Sequence, residues 1–257
     1  MPSYISKPKP IKKMKTLKPL HIWFVSFALF ITMASCVLVD SRSIAGDGNL
    51  VTDTLSLERF ENIDLGGMFN VTLTRGNNPQ VIIETDSNLM ELVNIQVKAG
   101  TLTISTRNNQ ILRPTRSNLT ITYPELTRVS ISGAGTLRST EPVESRELTF
   151  DISGAGEIDL IVDARILRTN LSGAGDLRLK GEAGQHYIDL SGASHLQSAN
   201  LITRETLISL SGAGSAEVYA SELIDASLSG VGSIRYYGNP AQRKVSSAGI
   251  GTIRSGN

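Results

Sequence analysis

At 257 residues, 40% hydrophobic and 19% charged, the chain can bury a substantial core, yet only 5% of it is aromatic and 23 residues are glycine. That composition suits thin, stacked packing better than a globule built around large side chains. The formal net charge is +1. Six lysines and no acid fall within residues 1–18, so the remainder is mildly acidic and lacks the clustered basic face that nucleic acid requires.

The first element is a basic stretch, Lys12 to Lys18, followed by an apolar run from Leu20 to Val39. This order reads as the n-region and h-region of a secretory signal, with Met14 available as a second start. The run ends Thr32-Met33-Ala34-Ser35-Cys36, which resembles a bacterial lipobox, in which small residues precede a cysteine that is lipidated and becomes the new N-terminus. Cys36 is the only cysteine, so neither an internal disulfide nor a cysteine-based zinc cluster can form. Met33 stands where a lipobox usually has leucine. Three readings therefore stay open, in this order: a lipoprotein, a secreted chain cut by ordinary signal peptidase, and an uncleaved anchor of about 20 residues.

Residues 37–54 hold Asp40-Ser41-Arg42-Ser43 and Gly46-Asp47-Gly48-Asn49. Without sustained periodicity they read as a flexible tether between the lipid and a domain spanning residues 55–257. The opening part of that domain, Leu55 to Pro124, alternates apolar and polar residues through Phe60, Ile63, Leu65, Phe69, Val71 and Leu73, then Val81 to Ile83, then Leu102 and Ile104. Gly66-Gly67, Gly76-Asn77-Asn78-Pro79 and Ala99-Gly100 mark turns between strands. These read as irregular opening coils that cap a solenoid.

From Val129 onward one phrase recurs seven times, starting at Ser132, Ser153, Ser172, Ser191, Ser211, Ser229 and Ala248. Its fullest form is Ser-Gly-Ala-Gly. The starts are separated by 21, 19, 19, 20, 18 and 19 residues, a period that signifies stacked structural units. Directly before the phrases stand Ile131, Ile152, Leu171, Leu190, Leu210, Leu228 and Ser247; two residues after them stand Leu137, Ile158, Leu177, Leu196, Ala216, Ile234 and Ile253. Polar residues such as Asp151, Asn170 and Asp189 alternate with these apolar columns. Period-2 alternation of this kind fits strands and no helix. The expectation is an all-β fold, a β-helix or β-solenoid of stacked coils of about 19 residues, turning at a glycine corner where a side chain would strike the neighbouring coil. Seven coils at a spacing of about 4.8 Å make a rod about 34 Å long.

The combination of Phe60-x-x-Ile63-x-Leu65-x-Gly67-x-Phe69-x-Val71-x-Leu73, Val81-x-Ile83-Glu84, Asp86-x-Asn88-Leu89, Gly100-x-Leu102-x-Ile104 and the iterated Ser-Gly-Ala-Gly resembles the auto-transporter adhesin, head GIN domain family, over about residues 55–257. The resemblance implies an exported, β-helix-like bacterial domain, common on lipoproteins and at cell envelopes, with no established reaction and no functional residue to transfer.

Chemistry is confined to outward columns. Arg138, Asp159 and Arg178 follow three residues after successive phrases, and Glu157 and Asp176 lie beside them. The three carboxylates suit either a calcium site or the acid and base of a glycoside-cleaving β-helix. Against that stands a cross-coil ion ladder with Asp159 between the two arginines, the reading preferred here. The nonapeptide of calcium-binding β-rolls is missing from the repeats, so no metal and no cofactor are expected. His186 and His195 read as surface histidines, because Ser194 beside His195 lacks a G-x-S-x-G elbow. Tyr236 and Tyr237 with Arg235 form either a binding patch or part of a C-terminal cap.

The leading expectation is a non-catalytic cell-envelope module, lipid-anchored, meeting a polysaccharide, peptidoglycan or an envelope protein. Self-assembly through exposed coil edges is its rival, and a carbohydrate-active enzyme stands third. Radiolabelled palmitate should enter the wild type and not Cys36→Ala; equal labelling would contradict the lipobox reading.

Overall fold

Each Ser-Gly pair of the repeat ends one strand, and the Ala, Val or Ile that follows begins the next. The computed structural model describes residues 43–256, and these form one unit, a β-solenoid of about seven turns. The segment expected to be a signal, with Cys36, lies outside the described residues.

In chain order the first strands are β1 (Ser43–Ala45), β2 (Leu50–Ser56), β3 (Asn62–Leu65), β4 (Met68–Arg75) and β5 (Gln80–Asp86). A single helical turn, α1 (Ser87–Met90), leads to β6 (Val93–Lys98), β7 (Thr101–Thr106), β8 (Ile111–Arg113) and β9 (Ser117–Tyr123). These make a cap that does not follow chain order. Strand β7 lies parallel to β3, and β9 parallel to β4, so later residues form the level beneath earlier ones. Antiparallel pairs close the cap, β2 with β5, β5 with β9, and β6 with β7. The β6–β7 hairpin turns on Ala99 and Gly100, both at positive φ (49° and 74°), as its two-residue turn demands. The expectation of irregular opening coils is thus corrected in part: only β3, β4, β7 and β9 stack as coils.

The tether expected over residues 37–54 is also corrected, because Ser43–Ala45 and Leu50–Ser56 are strands. Strand β1 pairs with β8, and β2 with β5. Asp86 holds this segment in place, accepting from the Gly48 amide at 2.8 Å and the Thr115 amide at 2.7 Å. Asn88 donates to the Ala45 carbonyl at 2.8 Å, and Leu89 is fully buried. The Asp-x-Asn-Leu step is therefore a clasp on the incoming chain. Burial alone would raise the Asp86 carboxyl, but hydrogen bonds from Thr115 and from the amides of Thr115, Gly48 and Arg116 outweigh it and hold the group below its ordinary value.

Above the cap, β10 (Arg128–Ile131) and β11 (Ala134–Ser139) stack on β3 and β4. Next come β12 (Val143–Ile152), β13 (Ala155–Leu171), β14 (Ala174–Leu190) and β15 (Ala193–Leu210), each parallel to the one before. The rod finishes with β16 (Ala213–Ala220), β17 (Leu223–Leu228), β18 (Val231–Gly238), β19 (Gln242–Ser247) and β20 (Ile250–Ser255). Registers match the columns of the repeat, as in Leu171 opposite Leu190 and Leu190 opposite Leu210. The inward columns form one continuous core, in which each fully buried Leu or Ile contributes about 1.5–3 kcal/mol relative to exposure. Buried phenylalanines cluster in the cap and first coils, at Phe60, Phe69 and Phe150. The repeat itself fills its thin interior with aliphatic side chains.

The corner geometry explains the glycines. The amide after each Ser-Gly pair donates to the glycine carbonyl one coil below, Ala174 to Gly154 and Ala193 to Gly173, both at 3.1 Å. A Cβ on Gly173 would lie 1.8 Å from the Gly154 carbonyl oxygen, and one on Gly192 would lie 1.7 Å from that of Gly173. The first glycine of each phrase has no left-handed φ. The requirement at that position is close approach between backbones.

We expect Gly173→Val to destabilise the protein by roughly 3 kcal/mol or more through this collision. Ala174→Val should cost less than about 1 kcal/mol, because Val231 occupies the same column three corners further on. Urea unfolding of the two variants measures both.

Candidate functional site

Two outward faces bear the polar columns that flank the phrase. On the first, strand register aligns Thr136, Glu157, Asp176 and His195, and beside them Arg138, Asp159, Arg178 and Gln197. The column expected from the sequence is present, but its ion pairing is diagonal. Glu157, not Asp159, takes both arginines: Arg138 approaches at 3.5 Å and Arg178 makes a short contact. Asp159 faces Lys180 at 3.6 Å instead. Guanidinium side chains are long enough to reach two residues along the next strand, and Glu157 offers each the closer carboxylate. Asp176 is opposite Glu157 in register and exposed. Side chains of this half-exposed kind contribute about 0.2–1 kcal/mol per pair. Glu157 and Asp159 with their cationic partners form an ordered ribbon. Among the described residues no group of three or more His, Cys, Asp or Glu is placed to hold a metal ion.

Histidine placement differs from the sequence expectation. His186 is 1% exposed and shares a 3.0 Å hydrogen bond with the buried Thr169 hydroxyl. It stands two residues before Ile188 on β14, so strand parity turns both inward. Burial pushes its pKa down to about 3. His195 does face outward, bonded to Ser215 and to Gln197. Ser194 faces inward at 6% exposure with an unpaired hydroxyl. Serine and histidine therefore lie on opposite sides of the strand and cannot act as nucleophile and base.

The tyrosines also separate. Tyr236 is 9% exposed and belongs to the core, so it is withdrawn from the binding patch. Tyr237 remains half-buried, its ring against Gly256, in register with Tyr219 of the coil below. Tyr236 and Tyr237 both lie on β18, beneath the last coil.

The second face is a shallow trough of about 480 Å³ along the corners. One side is a column of hydroxyls, Ser132, Ser153, Ser172, Ser191 and Ser211; the other is the ladder Asp151, Asn170, Asp189. Asn170 donates to Asp151 at 2.8 Å, and Arg128 pairs with the same carboxylate at 3.1 Å. The serine column spans four coil spacings, about 19 Å. Sequence reasoning noted the Asp-Asn-Asp ladder but passed over the serines, although each opens a phrase. The trough they line arises only when coils stack.

This architecture is that of a parallel β-solenoid with polar, ladder-bearing faces. The family model described as "Putative auto-transporter adhesin, head GIN domain" matches residues 59–240, and the chain belongs to that family. A "putative adhesin" from Bacteroides fragilis NCTC 9343 has a similar crystal structure, with TM-score 0.80 and 28% identity, over 82% of this chain and 99% of that one. A "putative adhesin" from Parabacteroides merdae ATCC 43184 shares the fold at TM-score 0.68 and 20% identity, over 84% of this chain and 100% of that one. So does a "Putative lipid binding protein" from Parabacteroides distasonis ATCC 8503, at TM-score 0.69 and 20% identity, with the same two coverages. No curated protein matches the chain.

The buried histidine generates a pH prediction. Unfolded, it titrates near 6.5; folded, near 3. The native state therefore refuses a proton that the unfolded chain accepts, and stability falls as pH drops below about 6.5, by about 1.4 kcal/mol per unit until about pH 3. Urea unfolding at pH 7.5 and 5.0 should show a loss of about 2 kcal/mol that is absent in His186→Gln.

Proposed function

We propose that the protein is a non-catalytic, exported cell-envelope module, anchored by lipid at Cys36, whose corner trough receives an extended neutral polysaccharide. The observation that carries this reading is the alignment of five serine hydroxyls with Asp151, Asn170 and Asp189 along one trough. Sugar hydroxyls are donors and acceptors repeated along a chain, and a solenoid face offers matching groups at a fixed interval. Asp151 is held by Asn170 and Arg128, and Asp189 is the carboxylate that accepts from hydroxyls and repels polyanions. Membership of an adhesin-described family and the similar B. fragilis structure support a surface role. Engagement of Glu157 by two arginines, and of Asp159 by Lys180, leaves that face suited to structure or contact. An envelope location of this kind would place residues 37–42 as the spacer between lipid and β1.

A second reading, end-to-end self-assembly, draws on the open C-terminal coil. Strands β19 and β20 are paired on one side only, and Val245 and Ile250 are 54% and 80% exposed. Arg243, Lys244 and Arg254 make that coil cationic with no acid, so two such ends repel. Particle size that grows with concentration in light scattering would mark self-assembly.

Calorimetric titration with soluble neutral glucan and chitin oligosaccharides, and with hyaluronan as a polyanion, tests the trough. At least one neutral glycan should bind, weakened tenfold or more in Ser172→Arg/Asp189→Ala, and hyaluronan should not. Binding that survives the double change would contradict the proposal.

A further inference from the structure

At the N-terminal end the corner is partly covered. The segment from β7 to β9 folds over the outside of the first two corners and encloses a recess of about 340 Å³, within the size range of small-molecule sites. Its floor is Gly66, Gly67 and Ala134, at the corners of the first two coils. Its walls are apolar at Phe69, Val93, Ile111 and Leu112. Hydroxyls of Thr85, Ser105 and Ser117 punctuate them, and no ionisable side chain contributes to the lining. Met68 and Ile111, at the rim, are each 53% exposed, an unusual position for large aliphatic side chains on an otherwise polar cap.

One atom gives the recess a direction. The Gln110 side-chain oxygen is buried without a hydrogen-bond partner, while the backbone carbonyl of the same residue accepts from Thr106 at 2.9 Å. A buried, unsatisfied carbonyl oxygen is costly, and native structures rarely keep one without a use. A rotation of the side chain would turn this oxygen into the recess that Gln110 lines, where a bound donor would satisfy it.

We infer that this recess is a binding site for an uncharged, largely apolar small molecule carrying one hydrogen-bond donor, which points to Gln110. Charged lipids and sugar phosphates are disfavoured as its buried part, because the lining has no cation to meet them. The site adjoins the trough at Ser132 but does not depend on what the trough binds.

The probe is N-phenyl-1-naphthylamine, a neutral fluorescent amine with a single N–H and an apolar body. Added to the full chain, it should show saturable, one-to-one fluorescence enhancement. Ala134→Ile fills the floor with a side chain the fold accepts elsewhere, since Ile250 takes the equivalent corner position; it should weaken binding at least tenfold. Gln110→Leu removes the acceptor from a surface segment and should weaken binding about fivefold. Circular dichroism confirms that each variant remains folded. Absence of saturable binding, or equal affinity in the wild type and both variants, would overturn the site; the second result would place the dye elsewhere on the chain.

Discussion

Everything in this structure depends on how closely one coil's backbone can approach the next at the corner. There an amide of each coil reaches the glycine carbonyl beneath it, at 2.7–3.1 Å from the cap to the last coil. The Cα of the glycine above is directed at that same oxygen. A single added carbon would lie within about 2 Å of it at every one of the seven corners. Glycine at the first position of the phrase is therefore imposed by the neighbour in space, and the repeat exists because every coil is neighbour to another. Serine before it and alanine after it face outward and are free to differ, as Ala248, Val231 and Ile250 do.

Once the corner fixes the stacking, strand parity distributes the remaining residues. Inward positions make a narrow aliphatic column too thin for many aromatic rings, which accounts for the low aromatic content. Outward positions fall into straight files, so that each polar residue meets the same class of position on the coils above and below. Charge pairs along such files, Glu157 with Arg138 and Arg178, Glu217 with Arg235, Glu147 with Arg168, hold long side chains in regular array at little net energy. Regularity itself is what these faces offer a partner. Where regularity breaks, at the cap, the fold makes an enclosed space.

The repeated coils were legible because their periodicity is local: each column can be read by counting 18 to 21 residues along the chain. Inward and outward sides followed from alternation, and the same parity, applied to His186 and Tyr236, would have placed both in the core. They were read by residue type instead. The cap was less legible. Strand β7 lies under β3 across a separation of 39 residues at Asn62 and Thr101, a pairing no period announces. Likewise the order of residues 43–49 depends on Asp86 and Asn88, far along the chain, so a polar, glycine-bearing stretch looked like a tether. Diagonal pairing at Glu157 was beyond register alone, since it depends on side-chain reach. The trough and the recess are properties of stacked coils and of a loop folded over a corner, and they exist only in three dimensions.

The claim that glycine corners are closed backbone contacts is most directly tested by amide hydrogen exchange resolved over residues 153–156, 172–175, 191–194 and 211–214. Sequences this rich in serine and glycine exchange rapidly when they form open loops. Here the amides of Ser172, Ala174, Ser191 and Ala193 are bonded to the coil below, so they should exchange as slowly as the centres of β13 and β14, limited by unfolding of the coils themselves. Exchange at the speed of exposed loops, with the flanking strands still protected, would contradict the account.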